Sequence, residues 1–186
     1  GVRYNTTTGY KFVMSVVKKE SFGQRIIRDI KMSDAKLWFI KLYDDGYSYS
    51  TIASIRGVVK PAFQMAYTED IIRRNPFEFR LDIIPNNTQK RVALSPKQQE
   101  QFLEFTKNDK HFCRYLDEIK ILLGTGMRIS ELCGLTIADL DFDRRRIRVD
   151  HQLVRTQDGK RYIEKTKTEC GCRYIPMSDE VYESFY

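Results

Sequence analysis

The chain has 186 residues, 41% of them hydrophobic and 31% charged, enough apolar material for one large domain or two small ones and too much for wholesale disorder. Its longest apolar runs, around "ILL" and "VALS", fall far short of a membrane span, and no charged-then-apolar leader opens it. The net charge of +7 is unevenly spread: residues 1–92 hold 16 Lys and Arg against 9 Asp and Glu, whereas residues 93–186 hold 16 of each. A basic segment followed by a neutral one suggests two units, the first a candidate for phosphate contacts and otherwise an ordinary solvated surface. Gly1 in place of Met is expected of a chain that begins inside a longer protein.

The first helix is expected after Asn5–Thr8, whose side-chain oxygens make good caps, with Tyr10, Phe12, Val13, Val16 and Val17 as its apolar stripe. "KMSDAKLWFIKLYDDG" predicts a second helix, capped by Ser33 or Asp34 and stopped near Gly46. A third, long helix runs through "SYSTIASIRGVVKPAFQMAYTEDII", capped by Ser48 or Ser50 and kinked at Lys60 by Pro61. "NPFEF" then closes a bundle of four or so helices over residues 1–80. "LDIIPNNTQKRV", residues 81–92, loses the periodicity and reads as a linker. In the second unit, 93–186, Ser95 caps a helix with Pro96 at its first position, and "FCRYLDEIKILLGTG" makes another. After "GLTIADLDFD" the period changes. "RRIRVDHQLVRT" and "RYIEKTKT", separated by "QDG", read as a β-hairpin, "CRYIPM" as a third strand, and "SDEVYESFY" as a helix capped by Ser178.

Four cysteines are present. Cys133 and Cys113 fall in helical apolar patterns and read as small buried hydrophobes. Cys170 and Cys172 have a C-x-C spacing unlike a zinc knuckle, and His111 and His151 are too scattered to complete a metal site. Reduced thiols, no bound metal and a cytoplasmic location are expected.

The stretch "LLGTGMRISELCGL", residues 122–135, sets Arg128 between two apolar helices just after a Gly turn. When a nucleophile attacks a DNA phosphodiester, charge builds on the equatorial oxygens. A planar, permanently charged guanidinium grips two of them at once. Held at a helix start, such a group typically contributes a few kcal/mol, with backbone N–H donors beside it. Glu131, one turn on, is placed to brace the helix start or Arg128 itself. The residues alone leave a surface arginine after a helix C-cap equally open.

"GTGMRISELCGLTIADLDFD" resembles the first catalytic box of the tyrosine recombinases, the family of phage integrases and Xer-type resolvases. "RYIPM" is similar to the family's Arg-x-Ile/Val-Pro-Leu strand, and "RYNTTTGY" resembles the opening of its core-binding domain. The texture of "EKTKTECGCRYIPM" is most like integrases of conjugative transposons from Gram-positive bacteria. The implied fold class is mainly α with a small antiparallel β-sheet. A helical core-binding domain, residues 1–80, would be joined by the linker to the N-terminal part of an α+β catalytic domain. The implied function is site-specific recombination through a 3′-phosphotyrosine intermediate, without cofactor. A non-catalytic DNA-binding protein of the same fold is the alternative. A helical protein–protein adaptor would explain the bundle but not the charge split.

The resemblance further implies a catalytic lysine on the hairpin, a general acid toward the leaving 5′ oxygen. Lys165 and Lys167 are both available. Counting back from "RYIPM" favours Lys167, but on a strand the two would share a face, and both could be plain solvated lysines. The family also needs a His-x-x-Arg box and a tyrosine nucleophile further on. His111 and His151 are read as outside such a motif, and Tyr182 and Tyr186 as packing residues, so the chain is expected to stop short of the nucleophile and to be unable to cleave DNA. The implied partner is double-stranded DNA at attachment or transposon-end sites, gripped by Arg3, Asn5, Thr6, Lys11, Lys31, Ser50, Arg56 and Lys60 of the first domain and by Lys90 and Arg91 of the linker. "DRRRIR", residues 143–148, is either a second contact or a solvated turn. The family works as a homotetramer, with DNA-bending accessory factors possible, on DNA of the bacterial nucleoid and away from membranes.

Overall fold

The computed structural model of the chain describes residues 2–166 and 169–185. It divides into two units, Gly1–Arg91 and Val92–Tyr186, each built around its own apolar cluster. The architecture is mainly helical with small antiparallel sheets, and among the described residues no helix is long and apolar enough to cross a membrane.

The first unit packs three α-helices: α1 (Tyr4–Lys19), α2 (Met32–Asp44) and α3 (Tyr49–Thr68). Apolar residues at helical spacing face inward, as Ala35, Trp38, Phe39 and Leu42 do from α2 and Ile52, Ile55 and Val59 from α3. Phe22 lies flat on Trp38 with centroids 4.4 Å apart, and Phe77, fully buried, meets Phe22, Trp38, Phe39 and Phe63 edge-on or tilted. Burial of each such side chain stabilises by roughly 1.5–3 kcal/mol.

The start of α1 lies at Tyr4, so Asn5–Thr8 are its first turn rather than its caps, and Tyr10 and Phe12 stay exposed while Val13 and Val16 go inside. In α2, Ser33 and Asp34 are also inside the first turn, where Asp34 Oδ2 accepts from the Lys31 N–H at 2.8 Å. Ser48 caps α3 by accepting from the Thr51 N–H, and the helix runs through Pro61 to Thr68. A fourth α-helix does not follow. Asn75 instead turns the chain, receiving the Phe77 N–H and donating to the Lys60 carbonyl. Leu81 and Ile84, read as linker, are buried in this unit's core, whereas residues 85–95 are exposed and lack regular secondary structure.

In the second unit α4 (Pro96–Asn108) carries the expected Ser95 cap and Pro96 start. It is followed by α5 (Leu116–Thr125), the short α6 (Ile129–Leu132) and, near the end, α7 (Asp179–Glu183) capped by Ser178. The strands form two sheets. One has order β1–β2–β5, from Leu140–Asp141, Arg146–Val149 and Arg173–Pro176. The other is the hairpin of β3 (His151–Arg155) and β4 (Arg161–Lys165), turning at Gly159. "RRIRVDHQLVRT", expected as one strand, is thus broken at Asp150 into β2 and β3, and the "RYIPM" strand pairs with β2 rather than the hairpin. Ile147, Val149, Met177, Val181 and Ile121 close the core between sheet and helices.

Candidate functional site: an arginine turn braced by a buried carboxylate

Gly126, at φ +64°, ends α5 in the left-handed conformation that favours glycine. The chain then buries Met127 and presents Arg128 in extended geometry at the start of α6. With Met127 pinned inside, Arg128 projects outward, its side chain 73% exposed. Glu131 closes the turn from beneath: one carboxylate oxygen accepts from the Arg128 N–H and the other from Arg128 Nη1, both at 2.9 Å. That carboxylate is only 3% exposed and has a second partner, Arg173 at the start of β5, whose Nη2 and Nη1 lie 2.8 and 3.3 Å from its two oxygens. Burial pushes the Glu131 carboxyl up, but hydrogen bonds from Arg173 and from the Arg128 backbone and side chain outweigh it and bring it to about 2. An ionised, buried carboxylate therefore fixes one edge of a guanidinium whose remaining donors face solvent. Such a group donates to two oxygens of a phosphate with little reordering.

Arg173 was missed as a site residue; it was visible only as the first letter of a strand, 42 positions from its partner. Lys165 is the exposed last residue of β4, opposite His151 in register. Lys167 lies outside the described residues. The hairpin reaches this neighbourhood because Gly134 lets the backbone after α6 approach β3: a Cβ there would sit 2.9 Å from the Leu153 nitrogen and 3.1 Å from Gln152 Cα.

Beneath the turn, Asp139, Asp150 and His151 bring potential metal-ligand atoms within 4.8 Å of one another. Their partners describe a hydrogen-bonded node instead. His151 Nε2 lies 2.7 Å from the Gly134 carbonyl and Nδ1 faces Asp150, so both ring nitrogens meet acceptors and an imidazolium suits the place. Asp150 chiefly, then the Gly134 carbonyl and Asp139, raise His151 above its ordinary value against burial. Arg148 takes Asp139 Oδ1 through two nitrogens at 3.2 and 2.9 Å. The cluster at 143–148 is similarly engaged at home: Arg146 reaches Asp141 at 3.0 Å and lies over the Tyr174 ring, and Arg145 pairs with Asp179 and lies over Tyr182.

All four cysteines are free and exposed. This corrects the expected burial of Cys113 and Cys133: Cys133 ends a four-residue helix too short to turn it inward, and Cys113 opens a 3-10 turn. The sequence does contain a His-x-x-Arg spacing, at His111–Arg114, but ahead of the arginine turn rather than after it. There Arg114 Nη2 lies 3.2 Å from both ring nitrogens of the exposed His111.

The first unit's candidates fall into two groups. Asn5, Thr6 and Lys11 are exposed on α1, Arg3 stands half-buried before it, Lys31 is exposed before α2, and Ser50 is exposed in the first turn of α3, bonded to Ser48. Lys90 and Arg91 are exposed in the irregular stretch. By contrast, Arg56 is half-buried, donating to the Phe77 and Phe79 carbonyls, and Lys60 pairs with Glu78 at 2.7 Å. Those two side chains already have local work.

A helical unit followed by an arginine turn, a brace of carboxylate and arginine, and a lysine-bearing hairpin define a class. The chain belongs to the phage integrase family, whose profile matches residues 93–186, just over half its length. Its relatives give the neighbourhood more narrowly. A transposase from transposon Tn916 of Enterococcus faecalis is 44% identical over 185 residues, 99% of this chain and 46% of its own. A XerC-like tyrosine recombinase of Caldanaerobacter subterraneus is 25% identical over 88% of this chain and 44% of its own. Among solved structures, the Tn1549 transposon integrase in complex with a circular intermediate DNA matches at 44% identity and TM-score 0.94, over 100% of this chain and 59% of its own. A lambda integrase dimer bound to a core site, 16% identical with TM-score 0.61 over 89% of this chain and 54% of its own, shares the fold. The chain spans about half the length of the curated relatives it matches.

Proposed function

We propose that this chain is the DNA-gripping, arginine-bearing part of a tyrosine-type site-specific recombinase, the integrase and excisionase of a conjugative transposon. The whole protein cuts and rejoins DNA through a 3′-phosphotyrosine link. The observation that carries this reading is Arg128: an exposed guanidinium held at one edge by a buried, ionised Glu131. Arg128 grips the scissile phosphate as charge develops on its oxygens. Lys167, or Lys165 in its place, protonates the leaving 5′ oxygen. Similarity to transposon proteins over 99% of the chain supports the mobile-element assignment.

The partner is duplex DNA at transposon ends or attachment sites, in the bacterial cytoplasm at the nucleoid. Arg3, Asn5, Thr6, Lys11, Lys31, Ser50, Lys90 and Arg91 supply backbone contacts, with Arg56 and Lys60 joining only after exchanging their present partners. The working assembly is a homotetramer, with DNA-bending factors as accessory partners. Tyr182 is assigned to packing, since its ring meets Phe142 at 5.6 Å and 89° and lies under Arg145.

Two measurements test this. Affinity of the 186-residue chain for duplex DNA should fall steeply with salt, and Lys90→Ala with Arg91→Ala should flatten the log–log slope by about 0.9 for each phosphate that the two side chains neutralise. An affinity indifferent to salt would overturn the DNA assignment. Incubated with a nicked suicide substrate, the same chain should form no covalent adduct; an adduct would place the nucleophile within these residues.

A further inference from the structure

We propose that the groove between α2 and the 3-10 turn Ser21–Gln24 is a docking site for an extended segment of another protein. The segment inserts one bulky aliphatic side chain and offers a backbone carbonyl to the Trp38 indole N–H. Asp34, Leu37, Trp38 and Lys41 stand at positions i, i+3, i+4 and i+7 of α2, one stripe of the helix. The chain from Glu20 to Arg25 runs along that stripe in the opposite direction. Arg25 Nη1 pairs with Asp34 at 2.9 Å, Phe22 stacks on Trp38, and Lys41 Nζ pairs with Glu20 at 2.8 Å. These residues and Leu37 line a cavity of about 210 Å³ with an ion pair at each end. From Asp34 to Lys41 the helix axis advances about 10 Å, at about 1.5 Å per residue. That is the length of about three residues of extended chain. The volume suits one side chain rather than a cofactor.

The wall opposite α2 is held in place from behind. Gly23 packs its backbone against Val17, where a Cβ would sit 2.0 Å from the Val17 carbonyl oxygen, and Gln24 Nε2 donates to the Lys18 carbonyl at 3.1 Å. Trp38 is only 4% exposed, and its buried Nε1–H has no acceptor among the described residues. A buried donor without a partner costs free energy that an occupant's carbonyl recovers. In the proposed complex the side chains of Leu37, 64% exposed, and of Lys41, 55% exposed, move aside and admit that carbonyl. Charge favours protein over nucleic acid as the occupant. Glu20, Asp34 and Asp45 here meet Arg25 and Lys41, three acids against two bases, in a half of the chain that holds 16 bases to 9 acids. A phosphate backbone gains nothing from such a groove, whereas a neutral peptide group finds donors and acceptors at both ends.

The chain has one tryptophan, so a single indole N–H cross-peak in the spectrum of the isotope-labelled 186-residue chain reports on the site. A capped tripeptide with a central leucine should move that cross-peak downfield to saturation, the direction of a newly made hydrogen bond. The same peptide with a central glycine should bind about tenfold or more weakly, because it buries no side chain. Leu37→Gln, at an exposed position, should weaken the leucine peptide by about threefold or more while leaving the thermal melt in place. A cross-peak that stays still as the leucine peptide rises to its solubility limit overturns the proposal. Equal affinities for the two peptides, or of the native and Leu37→Gln chains for the leucine peptide, overturn it as well. Duplex DNA should not compete with the peptide; competition would make the groove a nucleic-acid contact and overturn the protein assignment. None of these readouts involves DNA cleavage, so the docking site stands or falls apart from the recombinase reading.

Discussion

A carboxylate shared by two guanidiniums is the most consequential single residue here. Glu131 sits at about 2 in place of its ordinary 4.5, so its contribution is fully present above about pH 4.5 and is lost as pH falls toward 2, a contribution of about 3 kcal/mol. His151 works in the opposite sense. Its value is raised, so its contribution is complete below its ordinary 6.5 and fades as pH rises through the raised value. Urea denaturation of the second unit should therefore show greatest stability between about pH 4.5 and 6.5, weakening on both sides; a flat profile from pH 3 to 8 would contradict both assignments. Glu131→Gln at pH 6 should cost about 3 kcal/mol, since it leaves two guanidiniums around a neutral amide. Arg128 and Glu131 were legible in the sequence because a capping interaction is local, three residues wide. Arg173 was not, because its role depends on which strand the chain lays beside α6, and no periodicity encodes that.

Among the elements, the helices of the second unit were read well where a side chain caps them, as at Ser95 and Ser178, and those of the first less well where the capping residue makes no side-chain bond, as at Arg3. The strands show the other limit. "RRIRVDHQLVRT" alternates throughout, yet it serves two sheets because Arg148, Asp150 and His151 are drawn into the node around Asp139. A two-residue period cannot report a change of partner. Two glycines test the packing. Gly134→Ala places a methyl against the backbone of β3, which cannot retreat as a side chain would, and should cost about 1–3 kcal/mol. Gly57→Ala, on an exposed face of α3 with open space around it, should stabilise the first unit by about 0.5–1 kcal/mol. Thermal melts of the two variants should move in opposite directions.

At the scale of the whole molecule, the uneven charge and the loss of periodicity over residues 81–92 suggest two units in the sequence; the chain divides after Arg91, and each part has its own core. The ownership of residues 81–84 was hidden, because "LDII" is too short to show which core claims Leu81 and Ile84. The exposed stretch 85–95 has a consequence for a different class of enzyme. A protease needs several residues of backbone free to enter its cleft, and this stretch offers them together with two tryptic residues, Lys90 and Arg91. Brief trypsin treatment should cut there first and release fragments of about half the chain each. Duplex DNA lying along that stretch would shield the same bonds, turning the rate of one cleavage into a footprint of binding.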